Sequence, residues 1–244
     1  MPVHLLGQIP NLSRPDPVDD PAEPLTAHLV ELRRRLIFCL AYWGAGTVLC
    51  YGWSGRLLTW LARSAGGVVF TLPTEAFMVR LKAAAFTGLL AALPLILHQA
   101  WLFVARAFSP GLRRLALGLA AASYLLFALG AAIAMFVVVP SAMRFLLAFG
   151  SEEIRPLMTL SGYLGFVTGL ALAFGAVFQM PIVMVLLNRM GIVSRRTLRS
   201  RWRFVYLGAF IVAGVLTPAP DAFSQIALAV PTILIFELTL LALR

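Results

Sequence analysis

Uncharged apolar runs alternate with short charged segments along the whole chain, and this alternation predicts a bundle of membrane-spanning helices. The first run, from Leu36 to Gly55, has no charged residue in 20 positions. A helix of that length reaches roughly 30 Å, which matches the hydrocarbon core of one bilayer. We predict an all-α membrane protein with six transmembrane helices, at about residues 36–55, 83–105, 115–139, 159–187, 204–217 and 222–243.

Proline positions predict where these spans bend or end. Pro94 lies inside span two, Pro140 closes span three, and Pro231 is expected to break span six. The apolar run around span four is longer than the core requires, so we expect it to tilt, to begin outside the hydrocarbon or to bend at Pro181. Span five covers only 14 residues. The last two spans are therefore predicted to be short, with thinned lipid or partner helices around them.

The segments outside the spans differ in character. Residues 1–23 are rich in proline and acids and are predicted to be a disordered cytoplasmic tail, which leaves 24–244 as a single membrane domain. Residues 54–82 are too apolar for a free loop, so we expect a short helix that contributes to an external cap. Pro73 and Glu75 in this segment indicate a turn or a helix start. Asp221 is expected to cap the first turn of span six.

Basic residues favour one orientation of the bundle. If the N-terminus is cytoplasmic, fourteen of the 20 arginines and lysines lie on the cytoplasmic side and six on the other side. Such a bias is what sets the orientation of a membrane protein. We therefore predict that both termini are cytoplasmic.

Composition excludes several classes of protein. Hydrophobic residues make up 61% of the chain and charged residues 12%, which is more apolar than a single aqueous core can bury. The net charge of +10 comes from residues between the apolar runs, so it indicates topology and contacts with anionic lipids, and no nucleic-acid partner. Cys39 and Cys50 lie too far apart in the first run to pair. Because no nucleophile, acid–base or metal-ligand pattern is present, we predict no enzyme and no cofactor.

An amphipathic segment, Pro24–Leu36, lies directly before span one, and it leaves two interpretations open. In the first, Glu31 and Arg35 are four residues apart in the order that favours an ion pair on a solvated helix face. In the second, a carboxylate held at the membrane surface beside arginines receives an incoming cation. The leucines of this segment recur at helical spacing, at Leu25, Leu29, Leu32 and Leu36.

Five motifs along residues 24–240 together resemble those of the TatC family, the core subunit of the twin-arginine protein translocase. They are HLVELRRRL before span one, FTLPTEAFMVRLKAAAF before span two, HQAWLFVA at its end, FGAVFQMPIVMVLL in span four and LTPAPDAFSQIALAVPTILIFE around spans five and six. Their order and the six-span pattern match the family as well.

The resemblance implies a receptor and scaffold without covalent chemistry. Such a protein binds the twin-arginine signal peptide of folded cargo at the cytoplasmic face of a bacterial-type inner membrane. It assembles with single-span TatA/TatB-like subunits and with other copies of itself, and export is driven by the proton-motive force. The lipid bilayer is its remaining partner.

The resemblance also implies a signal-binding surface. Adjacent arginines require carboxylates or carbonyls placed for charge-assisted hydrogen bonds, and Glu31 matches the family's carboxylate, with Arg33 on the same surface. Gln99 either hydrogen-bonds the signal backbone or is a polar group facing water at a span end. Phe103 either packs on the apolar part of the signal or faces lipid or the core.

One position departs from the family pattern. Leu112 follows the Ser-Pro-Gly turn where the family has a second glutamate, and Arg106 stands where the family usually has proline. Either Asp19, Asp20 or Glu23 of the tail supplies the missing charge, or arginine recognition is weaker here or relies on carbonyl groups.

Span four carries the predicted partner contact. Gln179 matches a family position for glutamate or glutamine, and a polar side chain at membrane depth faces a partner or a cavity. We predict that Gln179, with its neighbour Phe178, contacts a TatA/TatB-like helix, and the alternative is a bond to a neighbouring span of the same chain.

A six-span small-solute transporter or channel is the competing function. An ion-coupled transporter is expected to carry several ionisable groups at mid-membrane depth. The span interiors offer only Gln179 and, near one end, Glu237, so we favour the receptor.

Overall fold

The computed structural model describes residues 23–64, 68–106, 110–149, 157–217 and 221–243, with the backbone alone at 23–28, 64, 105–106 and 110–117. Apart from Glu23, the predicted tail lies outside the described residues. The described helices are α1 (Glu23–Tyr51), α2 (Ser54–Ser64), α3 (Pro73–Arg106), α4 (Pro110–Ile133), a π-helix (Ala134–Val138), α5 (Val139–Leu147), α6 (Leu160–Val177), α7 (Met180–Arg189), α8 (Arg195–Ser200), α9 (Trp202–Leu216) and α10 (Ala222–Ala242).

The predicted all-α membrane fold is confirmed. Four stretches are long and apolar enough to cross a bilayer: Pro73–Val104, Gly118–Leu147, Leu160–Arg189 and Ala222–Ala242. The first helix qualifies together with α2, although the two are bent by 71°. Helix α9 has 15 residues, about 22 Å, and is shorter than a usual span, as predicted. The prediction that the last span is also short is wrong, because α10 continues through Pro231 and its 21 residues are long enough to cross a bilayer. The count of six spans and the orientation of the termini stay predictions.

Two prolines do not act as the sequence predicted. The helix of span three does not end at Pro140 but continues to Leu147. In a regular α-helix the ring of Pro140 would clash with the carbonyl of Phe136, four residues earlier. Phe136 lies in the π-helix Ala134–Val138, whose wider turn accommodates the ring. Pro231 does not break span six either: α10 runs without interruption from Ala222 to Ala242. Pro94 is likewise inside the continuous helix α3.

Span four is interrupted where its proline predicts. Helix α6 ends at Val177 and α7 begins at Met180, with a turn between them. Pro181 has no N–H to donate to Val177, four residues earlier, so the interruption coincides with the hydrogen bond that proline cannot make. The helix begins at Leu160, where the side chain of Thr159 caps the amide of Gly162.

Two segments at one end of the bundle are tied together, in the part of the chain where an external cap is predicted; the cap itself stays a prediction. Val69 and Thr159 form an isolated parallel bridge. The Glu75 carboxylate accepts hydrogen bonds from the amide of Thr71 (2.8 Å) and the amide of Ser161 (3.0 Å), and so joins the start of α3 to the start of α6. Pro73 is the first residue of α3, which confirms the predicted helix start.

Two other expectations about element ends are confirmed. Asp221 caps α10, since its Oδ1 accepts a hydrogen bond from the amide of Ser224 at 2.7 Å. A short helix was also expected over residues 54–82, and α2 is an amphipathic helix there, with Leu61 buried and Trp60 exposed; its external position stays a prediction.

Helix α6 forms the centre of the bundle. Its residues Leu164, Leu170 and Phe174 are at most 1% exposed. Phe127 of α4 and Ala213 of α9 belong to the same apolar core. Helices α3, α4, α9 and α10 therefore pack against α6, whereas α1 packs on the outside of α3.

Helices α1 and α3 pack so closely that their backbones touch at two glycines. A Cβ atom on Gly46 would lie 2.5 Å from the carbonyl oxygen of Gly88, and one on Gly88 would lie 2.4 Å from the amide nitrogen of Thr47. Small residues permit this approach between membrane helices. The contact fixes the antiparallel register in which α1 and α3 present their side chains to each other.

Candidate functional site

A polar cluster joins α1 and α3 near the N-terminal end of α1. Arg35 forms an ion pair with Glu31, one turn earlier on the same helix, through Nε and Oε1. Its Nη1 donates a hydrogen bond of 2.7 Å to Oε1 of Gln99 on α3. The ion pair of the first interpretation is therefore present. The cluster also includes Gln99, which the motif match had assigned to the same surface.

The cluster is partly withdrawn from solvent. The side chains of Arg35 and Glu31 are 12% and 11% exposed, although both lie on a helix whose Leu29, Val30 and Leu32 are exposed. A carboxylate with so little access to its surroundings interacts more strongly with a cation than a fully exposed one does.

Helix register places Phe103 at the level of Glu31. Gly46 faces Gly88, and Arg35, eleven residues earlier, meets Gln99, eleven residues later. Four further residues in each direction bring Glu31 opposite Phe103, which is half-buried. The structure thus gathers Glu31, Gln99 and Phe103 at one end of the α1–α3 pair.

The three consecutive arginines of α1 do not share one environment. Arg33 and Arg34 are exposed, and the Arg34 guanidinium lies over the ring of Phe38 at 5.7 Å from its centroid. Among the contacts of the described residues, Arg35 is the arginine of the three that bridges to α3. Arg33, the fourth residue of the predicted signal-binding surface, is close in sequence to this cluster but belongs to its exposed rim.

Leu112, where the family resemblance implies a second glutamate, lies in the first turn of α4, which follows α3 in the chain. Helix α4 begins at Pro110, so Leu112 is in its first turn. Its backbone alone is described, and the tail acids Asp19 and Asp20 lie outside the described residues. The replacement of the second carboxylate therefore stays a prediction.

A second polar network runs across the bundle and was not anticipated from the sequence. Trp101 of α3 donates a hydrogen bond of 2.8 Å from Nε1 to Oγ of the fully buried Ser123 on α4. Gln179 donates from Nε2 to the carbonyl oxygen of Ser123 at 3.0 Å. The sequence does not indicate a role for Ser123, which lies in an alanine-rich run. Its two hydrogen bonds form only because three segments of the bundle meet there.

The expected pair of partner-contacting residues separates in the structure. Phe178 is buried, and its ring lies against Gly130 of α4, so it is a core residue of this chain and we remove it from the partner surface. Gln179 bonds a neighbouring span through its amide nitrogen, which was the alternative expectation. It also lines an apolar cavity of about 500 Å³ whose other walls include Val205 and Val212 of α9.

Glu237 has protein partners at the opposite end of α10 from Asp221. Arg199 of α8 donates a hydrogen bond of 2.8 Å to Oε2, and the hydroxyl of Tyr206 donates one of 2.8 Å to Oε1. These contacts tie α8, α9 and α10 together. Glu237 therefore has a structural role in this arrangement.

Comparison with known proteins gives consistent matches. The family model described as Sec-independent protein translocase protein (TatC) matches residues 27–231. The TatC protein of Carboxydothermus hydrogenoformans is 33% identical over 227 residues, which covers 91% of this chain and 93% of the relative. That of Escherichia coli strain K12 is 37% identical over 226 residues, covering 88% and 86%. A crystal structure of the twin arginine translocase receptor TatC in DDM superposes with a TM-score of 0.80 at 30% identity, covering 89% of this chain and 99% of that one.

The bundle of long apolar helices is that of an integral membrane protein, and the matched relatives and crystal structure assign it to the protein-translocase class. The chain belongs to the TatC family of Sec-independent protein translocase proteins. The family resemblance read from its motifs is thereby confirmed.

Proposed function

We propose that the chain is the signal-peptide receptor and assembly scaffold of a twin-arginine translocase. The twin arginines of folded cargo bind at the cytoplasmic end of the α1–α3 pair, with Glu31 as the principal carboxylate. The protein lies in a bacterial-type inner membrane with both termini in the cytoplasm, and transport uses the proton-motive force without covalent chemistry.

One observation carries this proposal: Glu31 and Gln99 already bind a guanidinium. The group is that of Arg35, held by a carboxylate oxygen on one side and an amide oxygen on the other. A planar guanidinium presents several N–H donors in a fixed arrangement, and this arrangement suits two oxygen acceptors. The same oxygens offer an incoming signal arginine acceptors of the right kind and spacing.

Phe103 and Arg33 have supporting roles in the proposal. Phe103 lies level with Glu31 and offers an aromatic surface to the apolar part of the signal peptide. Arg33 at the exposed rim contacts the peptide's backbone carbonyls or the anionic lipid beside it. Leu112 in the first turn of α4 leaves this side of the site without the family's second carboxylate.

Gln179 is proposed as a contact for a single-span TatA/TatB-like partner. Its amide nitrogen is used within the chain, but its side chain also lines the apolar cavity beside α9. The short helix α9 forms one wall of that cavity. A partner helix seated there would cover apolar surface and offer a polar group to the glutamine carbonyl.

Crosslinking in mild detergent tests the receptor proposal. The purified protein should crosslink a twin-arginine signal peptide in clear preference to its Lys-Lys variant, and Glu31→Gln should remove that preference. Asp221→Asn is the matched control, because it removes one carboxylate at the other end of the bundle and keeps a side chain that can cap α10. Equal yields for the two peptides with the unsubstituted protein would refute the proposal.

A gain-of-function variant tests the position of the missing acid. Leu112→Glu places a carboxylate in the first turn of α4, where the helix dipole also favours it. It should strengthen binding of the twin-arginine peptide, and the Leu112→Gln control should not. Weaker binding with Leu112→Glu would contradict the assignment of this turn to the site.

A further inference from the structure

We propose that Arg35 is an internal competitor for the signal-binding site. In the empty protein its guanidinium occupies the carboxylate and amide oxygens that a signal arginine needs, and it must be displaced before the signal binds. The inference rests on the proposed receptor function. It adds a residue that sets how strong a signal must be in order to bind.

The contacts of Arg35 place it in the site itself. Nε pairs with Oε1 of Glu31, and Nη1 lies 2.7 Å from Oε1 of Gln99 and 3.5 Å from the main-chain oxygen of the same residue. Its side chain is 12% exposed. An ordinary ion pair on the surface of one helix is exposed to solvent and makes no hydrogen bond to a second helix, whereas Arg35 is largely buried and bonds α3.

The neighbouring arginine provides an internal comparison. Arg34 is on the same helix, one residue away, but is exposed and stacks on Phe38. The positive charge of the segment is therefore not what places Arg35 in the site. Its place follows from the helix face that it shares with Glu31 and turns toward α3.

The hydrogen-bond geometry of Arg35 is imperfect, so a second guanidinium could bind Glu31 and Gln99 with better geometry. Nε of Arg35 is buried and lies beside Oε1 of Glu31, but the angles do not allow a hydrogen bond between them. Within the described part of the chain, Nε makes no other hydrogen bond. The guanidinium is thus bound with one of its donors misaligned. An incoming arginine on a separate peptide can orient both of its donors, because its position is not fixed by the helix that also carries Glu31.

Competition of this kind has a defined thermodynamic signature. The cost of moving Arg35 away belongs to the empty protein and is the same for every ligand that uses Glu31 and Gln99. The apparent affinity of each ligand is reduced by the fraction of protein in which the site is open. Removal of Arg35 must therefore strengthen the binding of strong and weak signals by the same factor and leave the preference between them unchanged.

The test measures dissociation constants of twin-arginine and Lys-Lys signal peptides for the full-length protein in detergent. Arg35→Ala should tighten both by the same factor, on the order of tenfold, which corresponds to the loss of one charge-assisted contact. Arg35→Gln, which keeps a polar side chain of similar reach, should show the same direction. Arg34→Ala is the matched control: it removes the same charge one residue away and should leave the affinities within about twofold.

The possible results separate the inference from the receptor proposal. Weaker or unchanged binding of the twin-arginine peptide with both Arg35 variants would overturn the inference, because Arg35 would then position Glu31 and Gln99 rather than compete for them. A lower ratio between the two peptides would overturn it for the same reason. If the unsubstituted protein binds both peptides equally, the receptor proposal itself fails.

Discussion

The glycine contact between α1 and α3 gives a quantitative test of how the site is held together. Gly46→Ala adds one methyl group at the point where the two helices touch. That carbon would lie 2.5 Å from the carbonyl oxygen of Gly88, 3.2 Å from its carbonyl carbon and 3.3 Å from its Cα. All three are backbone atoms, so no side chain can rotate to make space.

The size of the effect follows from these distances. Ordinary van der Waals contact begins near 3.4 Å, so the helices must separate by nearly 1 Å at this level. Overpacking of this kind costs about 1–3 kcal/mol. The matched control is Gly44→Ala on the same helix, where an added Cβ meets nothing within 4 Å. Both variants gain the same helix propensity from alanine, so their difference isolates the clash.

Thermal unfolding in detergent measures this difference. Gly46→Ala should unfold several degrees below Gly44→Ala. It should also weaken binding of the twin-arginine peptide, because separation of α1 from α3 moves Gln99 away from Glu31 and Arg35. Equal unfolding temperatures and equal peptide affinities for the two variants would show that this contact does not set the register of the site.

Substitutions at three further positions test other parts of the structure. Ser123→Ala removes the acceptor of the buried Trp101 indole and should cost about 1–3 kcal/mol in thermal unfolding, whereas a neutral result would mean that another acceptor replaces it. Glu75→Ala breaks the link between the starts of α3 and α6, so amide exchange at Ser161 should accelerate, and unchanged protection would contradict the role given to this carboxylate. Asp221→Ala should destabilise by about 1 kcal/mol and Asp221→Asn by much less, and equal losses would argue against capping.

Much of the fold is readable in the sequence because lipid restricts the possible structures. Every backbone group in a bilayer must be bonded within its own helix or barrel, so uncharged runs of the right length predict helices directly. Local chemistry was equally informative at Asp221, whose capping depends only on the residues that follow it. Glu75 was recognised as an acid at a helix start, but its bond to Ser161 could not be predicted, since Ser161 is distant in sequence.

Prolines show the limit of local reasoning. The sequence predicted an end at Pro140 and a break at Pro231, but both positions are helical. A proline removes one backbone hydrogen bond and introduces one steric clash. At Pro140 the π-helix just before it accommodates both effects. At Pro181 the same chemistry does interrupt the helix. Which outcome prevails depends on neighbouring helices, and the sequence of a single span does not contain that information.

For the candidate site, the sequence predicted which residues come together, whereas their role in signal binding stays a prediction. Glu31, Gln99 and Phe103 were assigned to one surface by motif resemblance, and the register of α1 on α3 brings them to one level. Of the two interpretations of Glu31, the ion pair with Arg35 is present, and the reception of an incoming cation stays a prediction. The bridge from Arg35 to Gln99 was missed because it depends on the glycine contact between helices, which fixes the facing residues.

A double-mutant cycle tests the central claim most directly. It compares the dissociation constants of twin-arginine and Lys-Lys signal peptides for the unsubstituted protein and for Glu31→Gln. If Glu31 receives the signal arginines, the preference for arginine should fall by about tenfold or more, a coupling of at least about 1.4 kcal/mol. An identical preference in the two proteins would mean that Glu31 does not recognise the twin arginines and that the receptor site lies elsewhere.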